Sequence, residues 1–126
     1  MELHINPGDE LPIYRQIMRQ IIDAVAGGRL QAGAQLPSHR ELAEQLVIAP
    51  LTVKKAYDEL ERQGLIVTQR GKGTFISERL PDVDPAKRRE RLRDAAQRLL
   101  SQAALSGVPL ADVFGLLEEM QKGMER

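Results

Sequence analysis

The chain of 126 residues contains no cysteine, which removes disulfides, thiolate zinc sites and a cysteine nucleophile together. Its two histidines, His4 and His39, stand far apart without metal-ligand spacing, so neither is read as a ligand. No apolar run approaches the ~20 residues needed to cross a bilayer. The opening MELHINPGDELP has neither the basic start nor the apolar core of a secretory signal. A cytoplasmic location without membrane contact is the expectation. Excess charge of either sign is also missing: basic and acidic residues number 18 each, ten of each up to residue 80 and eight of each beyond. The strongly basic footprint common among nucleic-acid binders is therefore absent. Any affinity for a polyanion has to come from local clusters, because counterion release depends on the phosphates actually touched.

What is present is periodic. A composition of 42% hydrophobic and 29% charged residues suits a globular protein, and the length allows one small domain with an appendage. Within 11–27, Ile13, Ile17, Ile21 and Val25, with Met18 and Ile22 alongside, form the stripe of an amphipathic helix that stops at Gly27-Gly28. The next stretch, RLQAGAQLP, has no helical period and reads as a connector. Ser38 and Glu41 make a capping box that opens a short helix over 39–46, buried through Leu42, Ala43 and Leu46. His39 is expected in its exposed first turn. A third helix starts near Pro50, tolerated at a first helical position. It follows Val53, Ala56, Tyr57 and Leu60 to Gly64, with Tyr57 assigned to the core. LIVTQ and TFIS then read as two strands around the turn RGKG. This order of elements is that of a winged helix-turn-helix.

From Leu80 the composition changes. LPDVDP carries two prolines and marks a boundary, dividing the chain into 1–79 and a tail of 80–126. Leu92, Ala95, Ala96, Leu99 and Ala103 mark one tail helix, ending at Ser106-Gly107, and Leu110, Val113, Phe114, Leu117 and Met120 mark another. So small a unit, without staples, cannot bury enough surface alone. Leu92, Ala96, Leu99, Ala103, Leu110, Val113, Phe114 and Leu117 are therefore expected to meet the same tail of a second chain across a two-fold interface. A small-molecule pocket is the competing use of these stripes. The basic run Lys87, Arg88, Arg89, Arg91 and Arg93 reads as a solvated face, with phosphate contact or an anionic ligand as the alternative. The fold class expected is mainly α with a small β-hairpin wing: a winged helix-turn-helix plus a two-helix dimerisation segment.

The segment PSHRELAEQLVIAPLTVKKAYDELERQGLIVTQRGKGTFI resembles the GntR family of bacterial transcription regulators. The resemblance is carried by Pro37-Ser38, Arg40-Glu41-Leu42-Ala43, Thr52-Val53, Glu59-Leu60-Glu61, Gly64-Leu65-Ile66 and Gly71-Lys72-Gly73-Thr74-Phe75. Pro12-Ile13-Tyr14-Arg15-Gln16-Ile17 and Gly33 before Leu36 extend it to about residues 10–77. The short tail is similar to that of the YtrA-like branch, whose members often control transporter operons. The resemblance implies a homodimer that reads an inverted-repeat operator in double-stranded DNA, by prior a repressor. It implies that Arg40 contacts DNA from the second helix and that Thr52 and Lys54, with Lys55 beside them, occupy the recognition helix. Arg70, Gly71 and Lys72 would approach the minor groove or backbone from the wing tip. An α-helix fits the major groove, and its first turns reach base edges.

Three residues depart from the family pattern. Val47 stands where the turn between the second and third helices usually has glycine, so the turn is either rearranged or destabilising. Ala49 replaces a small polar cap, at a cost of about 1 kcal/mol. Leu51 replaces a polar residue near the groove, where a thymine methyl would accept it. Each candidate also has a plainer reading. Lys54 and Lys55 alone fit a solvated helix face, and Arg40 fits an ion pair with Glu44 at i+4. The RGKG turn lacks the ending and helix of a phosphate loop. The alternative function is a winged-helix interaction module that has lost DNA binding. The pyridoxal-phosphate aminotransferase fusions of this family find no room in so short a chain, and neither catalytic residue nor cofactor is expected. A small-molecule effector would act by changing the angle between two readers, and nothing in the tail identifies one.

Overall fold

The computed structural model describes residues 1–79 and 84–124. Most of the boundary segment (Leu80, Pro81, Asp82 and Val83) lies outside the described residues, as do Glu125 and Arg126. The chain divides into two units, Met1–Pro81 and Asp82–Arg126.

In the first unit, α1 (Ile13–Ala26) buries Ile17 and Ile21 completely, and α1 ends where the Gly27 N–H reaches the Asp23 carbonyl at 2.8 Å. The segment before it is tied to α1 by two glutamine amides. Gln20 exchanges hydrogen bonds with the His4 backbone in both directions at 2.8 Å. Gln16 accepts from the Asn6 N–H at 2.8 Å and donates to the Asn6 and Leu11 carbonyls. Leu3 and Ile5 are thereby laid against the core.

The connector after α1 holds a strand that the sequence pattern did not reveal. β1 (Gln35–Leu36) is followed by α2 (His39–Leu46), α3 (Pro50–Arg62), β2 (Ile66–Gln69) and β3 (Gly73–Ile76). The wing is thus a three-stranded antiparallel sheet in the order β1-β3-β2, rather than a hairpin alone. Leu36 sits opposite Thr74 and Gln35 opposite Phe75, while Thr68 faces Thr74 across β2 and β3. Two residues are too few to display alternation, which is why β1 was invisible.

Side chains from all these elements except the wing turn meet in one core: Ile17, Ile21, Leu36, Leu42, Val53, Leu60, Ile66 and Ile76 are each at most 3% exposed. Burying each such side chain contributes roughly 1.5–3 kcal/mol. Tyr57 belongs to the same core, as expected. His39, expected to be exposed, is half-buried at the start of α2.

In the second unit, α4 (Pro85–Leu105) begins with Pro85 in its first turn, and the Asp84 carboxylate accepts the Ala86 N–H at 3.1 Å. It ends at Gly107, whose φ of 68° lets the Val108 N–H turn back to the Ala103 carbonyl at 2.9 Å. α5 (Leu110–Met124) follows. α4 buries no residue fully, and α5 buries Val113.

Candidate nucleic-acid interface

α2 starts from the capping box read in the sequence: the Glu41 N–H donates to Ser38 Oγ at 3.1 Å, and the Ser38 N–H to Glu41 Oε1 at 3.5 Å. It ends at Val47, which takes the left-handed conformation at φ 56°, ψ 52°. With that reversal the Ile48 N–H returns to the Ala43 carbonyl at 3.0 Å, and Ile48 drops against the core. The glycine-type turn is therefore kept, not rearranged, and a β-branched residue bears its strain. α3 begins from Ala49, which offers no side-chain cap, and carries Pro50 in its first turn. A half-buried hydrogen bond ties α3 to the entry of α2. The Tyr57 hydroxyl donates to the Pro37 carbonyl at 2.8 Å, joining the middle of α3 to the residue before the cap of α2. Burial, then the negative charge of Glu41, pushes the Tyr57 phenol well above its ordinary range.

The wing is fastened to the far end of α3. Ser77 Oγ donates to the Gly64 carbonyl at 2.7 Å, and the Leu65 N–H reaches the Leu60 carbonyl at 2.9 Å. Thr68 places its N–H and hydroxyl 3.4 Å from the Glu61 carboxylate. At the tip the chain reverses through Gly71 at φ 79°, a conformation that costs glycine little.

The residues singled out in the sequence occupy these elements as follows. Arg40 is exposed on the first turn of α2 and, among the described residues, makes no ion pair with Glu44. Thr52 is half-buried on α3, whose outer face presents Leu51, Lys54, Lys55 and Asp58, with Leu51 76% exposed. Lys54 Nζ is paired with Asp58 Oδ2 at 2.8 Å. Lys55 Nζ lies 4.2 Å from the centre of the Tyr14 ring. Arg70, Gly71 and Lys72 are all exposed at the wing tip.

Sequence reasoning missed two supports of this surface. Tyr14 on α1 holds Lys55 by its ring and accepts a hydrogen bond from Arg15 Nε at 3.2 Å; that bond, ahead of the nearby positive charges, lowers the phenol below its usual range. Gln35 on β1 donates from Nε2 to the Lys72 carbonyl at 3.2 Å. Periodicity points to neither, because each acts across elements distant in sequence. Near the end of α3, the Arg62 guanidinium at 2.6 Å holds the Glu59 carboxyl below the ordinary carboxylate range.

Among the described residues no cluster of three or more histidine, aspartate or glutamate side chains is placed to hold a metal ion, and no helix is long and apolar enough to cross a membrane.

Helix, two-residue strand, two helices joined by a tight left-handed turn, and a hairpin packed on the second of them define a winged helix-turn-helix protein. Residues 13–76 match the model of the bacterial regulatory proteins of the gntR family. The chain is 36% identical over 118 residues to the HTH-type transcriptional repressor YtrA of Bacillus subtilis (strain 168), covering 94% of this chain and 91% of that relative. It thus belongs to the GntR family and is YtrA-like. The structure described as a transcriptional antiterminator from Listeria monocytogenes EGD-e superposes with a TM-score of 0.83 at 35% identity, over 98% of this chain and 92% of that one. The AraR DNA-binding domain in complex with operator ORX1 superposes with a TM-score of 0.53 at 29% identity, over 61% of this chain and 99% of that one.

Proposed function

We propose that this transcription regulator represses by binding an inverted-repeat operator as a homodimer, with α3 in the major groove and the wing tip on the flanking backbone or minor groove. The observation that carries this reading is the set of exposed cations at the start of α2 and at the wing tip of one folded unit. Arg40, Arg70 and Lys72 have no ion-pair partner among the described residues, in a chain whose formal charge is zero. Local concentration of unneutralised cations is what phosphate binding requires. Lys54 joins them at little cost. Its exposed pair with Asp58 contributes about 0.3–0.5 kcal/mol, less than the ~1–3 kcal/mol of base discrimination that a good guanine-edge pair offers. The positions of Arg40, Thr52, Lys54, Lys55, Arg70, Gly71 and Lys72, the operator complex of the AraR domain and the repressor name of the YtrA relative all support it.

Dimerisation is the second half of the proposal. A single small reader buries only ~600–1,000 Å² on DNA, so two readers joined in one dimer are needed for firm recognition. The tail leaves apolar surface for that purpose: Leu92, Leu110, Phe114 and Leu117 are 43–72% exposed. Leu110, Phe114 and Leu117 recur at i, i+4 and i+7 along α5, a continuous face for a second copy. Ala96 is exposed on α4, Leu99 and Ala103 are half-buried there, and Val113 is buried on α5.

The test is binding to a duplex that the purified protein itself selects from a randomised pool, measured by anisotropy at several salt concentrations. Arg40→Ala and Arg70→Ala are each expected to weaken binding about tenfold, and each lost phosphate contact flattens the slope of log K against log salt by about 0.9. Failure of the wild-type protein to enrich any sequence, or unchanged affinity and slope in both variants, would contradict the proposal.

A further inference from the structure

Gln35 lies outside both the helix-turn-helix and the wing turn, yet its side chain ends on that turn. β1 pairs Gln35 with Phe75 and Leu36 with Thr74. Because successive strand residues point to opposite faces, Leu36 enters the core while Gln35 stays exposed and extends along the sheet. Its Nε2 meets the Lys72 carbonyl at 3.2 Å, 37 residues away in sequence. The neighbouring position is shaped for this approach. Gly73 has a φ of +126°, and a Cβ there would stand 2.7 Å from Gln35 Nε2. A side chain at 73 would strain the backbone and push aside the flexible end of Gln35. Among the described residues, the only other backbone bond from the turn is local, from the Lys72 N–H to the Gln69 carbonyl at 2.9 Å.

We infer that Gln35 is a positioning residue for DNA recognition: it fixes the Lys72 carbonyl, and through it the tip Arg70–Lys72, in the conformation that meets the duplex. The inference rests on the wing's proposed role in DNA binding. A turn with glycine inside it at 71 and at its exit at 73 has wide conformational freedom, and freedom lost on binding subtracts from affinity. A brace outside the turn removes part of that freedom beforehand.

The experiment replaces Gln35 with methionine, which keeps the length of the side chain, adds no charge and removes the donor. In the free protein, backbone order parameters at residues 70–72 should fall, while the thermal midpoint stays close to wild type. Affinity for the duplex selected by the wild-type protein should drop about three- to tenfold, the effect of one modest hydrogen bond. The salt slope should not change, since the same phosphates are reached once bound. In an Arg70→Ala/Lys72→Ala background, Gln35→Met should have no further effect. Unchanged order at 70–72, or an equal loss of affinity in that background, would overturn the positioning role. If Arg70→Ala/Lys72→Ala itself binds like the wild type, the reading of the wing fails and takes this role in recognition with it, whatever the order parameters show.

Discussion

At the residue scale, the turn between α2 and α3 concentrates the local conflicts of this chain. Val47 is held at φ 56° although it is 89% exposed, so packing does little to offset the strain. A left-handed non-glycine residue costs ~1–2 kcal/mol, and the extra unfolded-state freedom of glycine gives back ~0.5–1. Val47→Gly is accordingly expected to raise the unfolding free energy by about 0.5–1 kcal/mol in urea titrations; a loss of stability would mean the valine is packed or selected for another reason. Two residues on, Ala49→Ser supplies the missing cap of α3 and should add about 1 kcal/mol by the same measurement. Tyr57 is buried in the core. Its folded-state phenol is raised above the ordinary value of 10.0, so the folded chain holds a proton that the unfolded chain releases. That contribution is complete below pH 10 and declines as pH rises beyond it. Stability measured from pH 8 upwards should fall past pH 10 in the wild type and fall less steeply in Tyr57→Phe, which also loses about 1 kcal/mol at neutral pH with its bond to Pro37. The mismatch at Val47 was legible from sequence, because a turn that needs positive φ names its preferred residue. Which way the conflict resolved was not, since strain and rearrangement leave the same letters.

At the element scale, amphipathic spacing located α1, α2 and α3, and the capping box placed the start of α2, because those signals are local and repeat along the chain. The second layer of the site was not local. β1 is two residues long, and Gln35 and Tyr14 act on partners 37 and 41 positions away, beyond any periodic signal. Nor did the sequence reveal that Lys54 faces Asp58 while Lys55 turns to Tyr14, although both were candidates for the groove. This division of labour has a consequence for binding. Asp58→Asn frees Lys54 and removes a carboxylate from the outer face of α3. It should tighten duplex binding about two- to threefold at low salt, with the gain shrinking as salt is added. Weaker binding would indicate that Asp58 orients Lys54 for its contact instead of holding it back.

At the scale of the whole molecule, neutrality and DNA binding are compatible because charge is sorted by position. A basic run on α4 (Lys87, Arg88, Arg89, Arg91 and Arg93) and carboxylates on α5 (Asp112, Glu118 and Glu119) fall in different stretches of a tail that is neutral in sum. The tail's helices were readable from their apolar spacing, but that spacing does not name the surface that covers them. The exposed face of α5 makes the expectation specific. Light scattering after size exclusion should give twice the chain mass for the wild type, and Phe114→Glu/Leu117→Glu should give a single chain with its winged unit still folded. Such a monomer should lose far more affinity for an inverted repeat than for a half-site, because only the former needs two linked readers.

The claim beneath all of these is that one face of the first unit, built from the start of α2, the first turns of α3 and the wing tip, lies on DNA. Backbone amide shifts followed by NMR while the selected duplex is titrated in test it most directly. The largest changes are expected at Arg40, at Leu51–Lys55 and at Arg70–Lys72, with the His4–Asn6 segment bound to α1 little moved. Changes concentrated on that segment or on α5, with those three stretches silent, would contradict it.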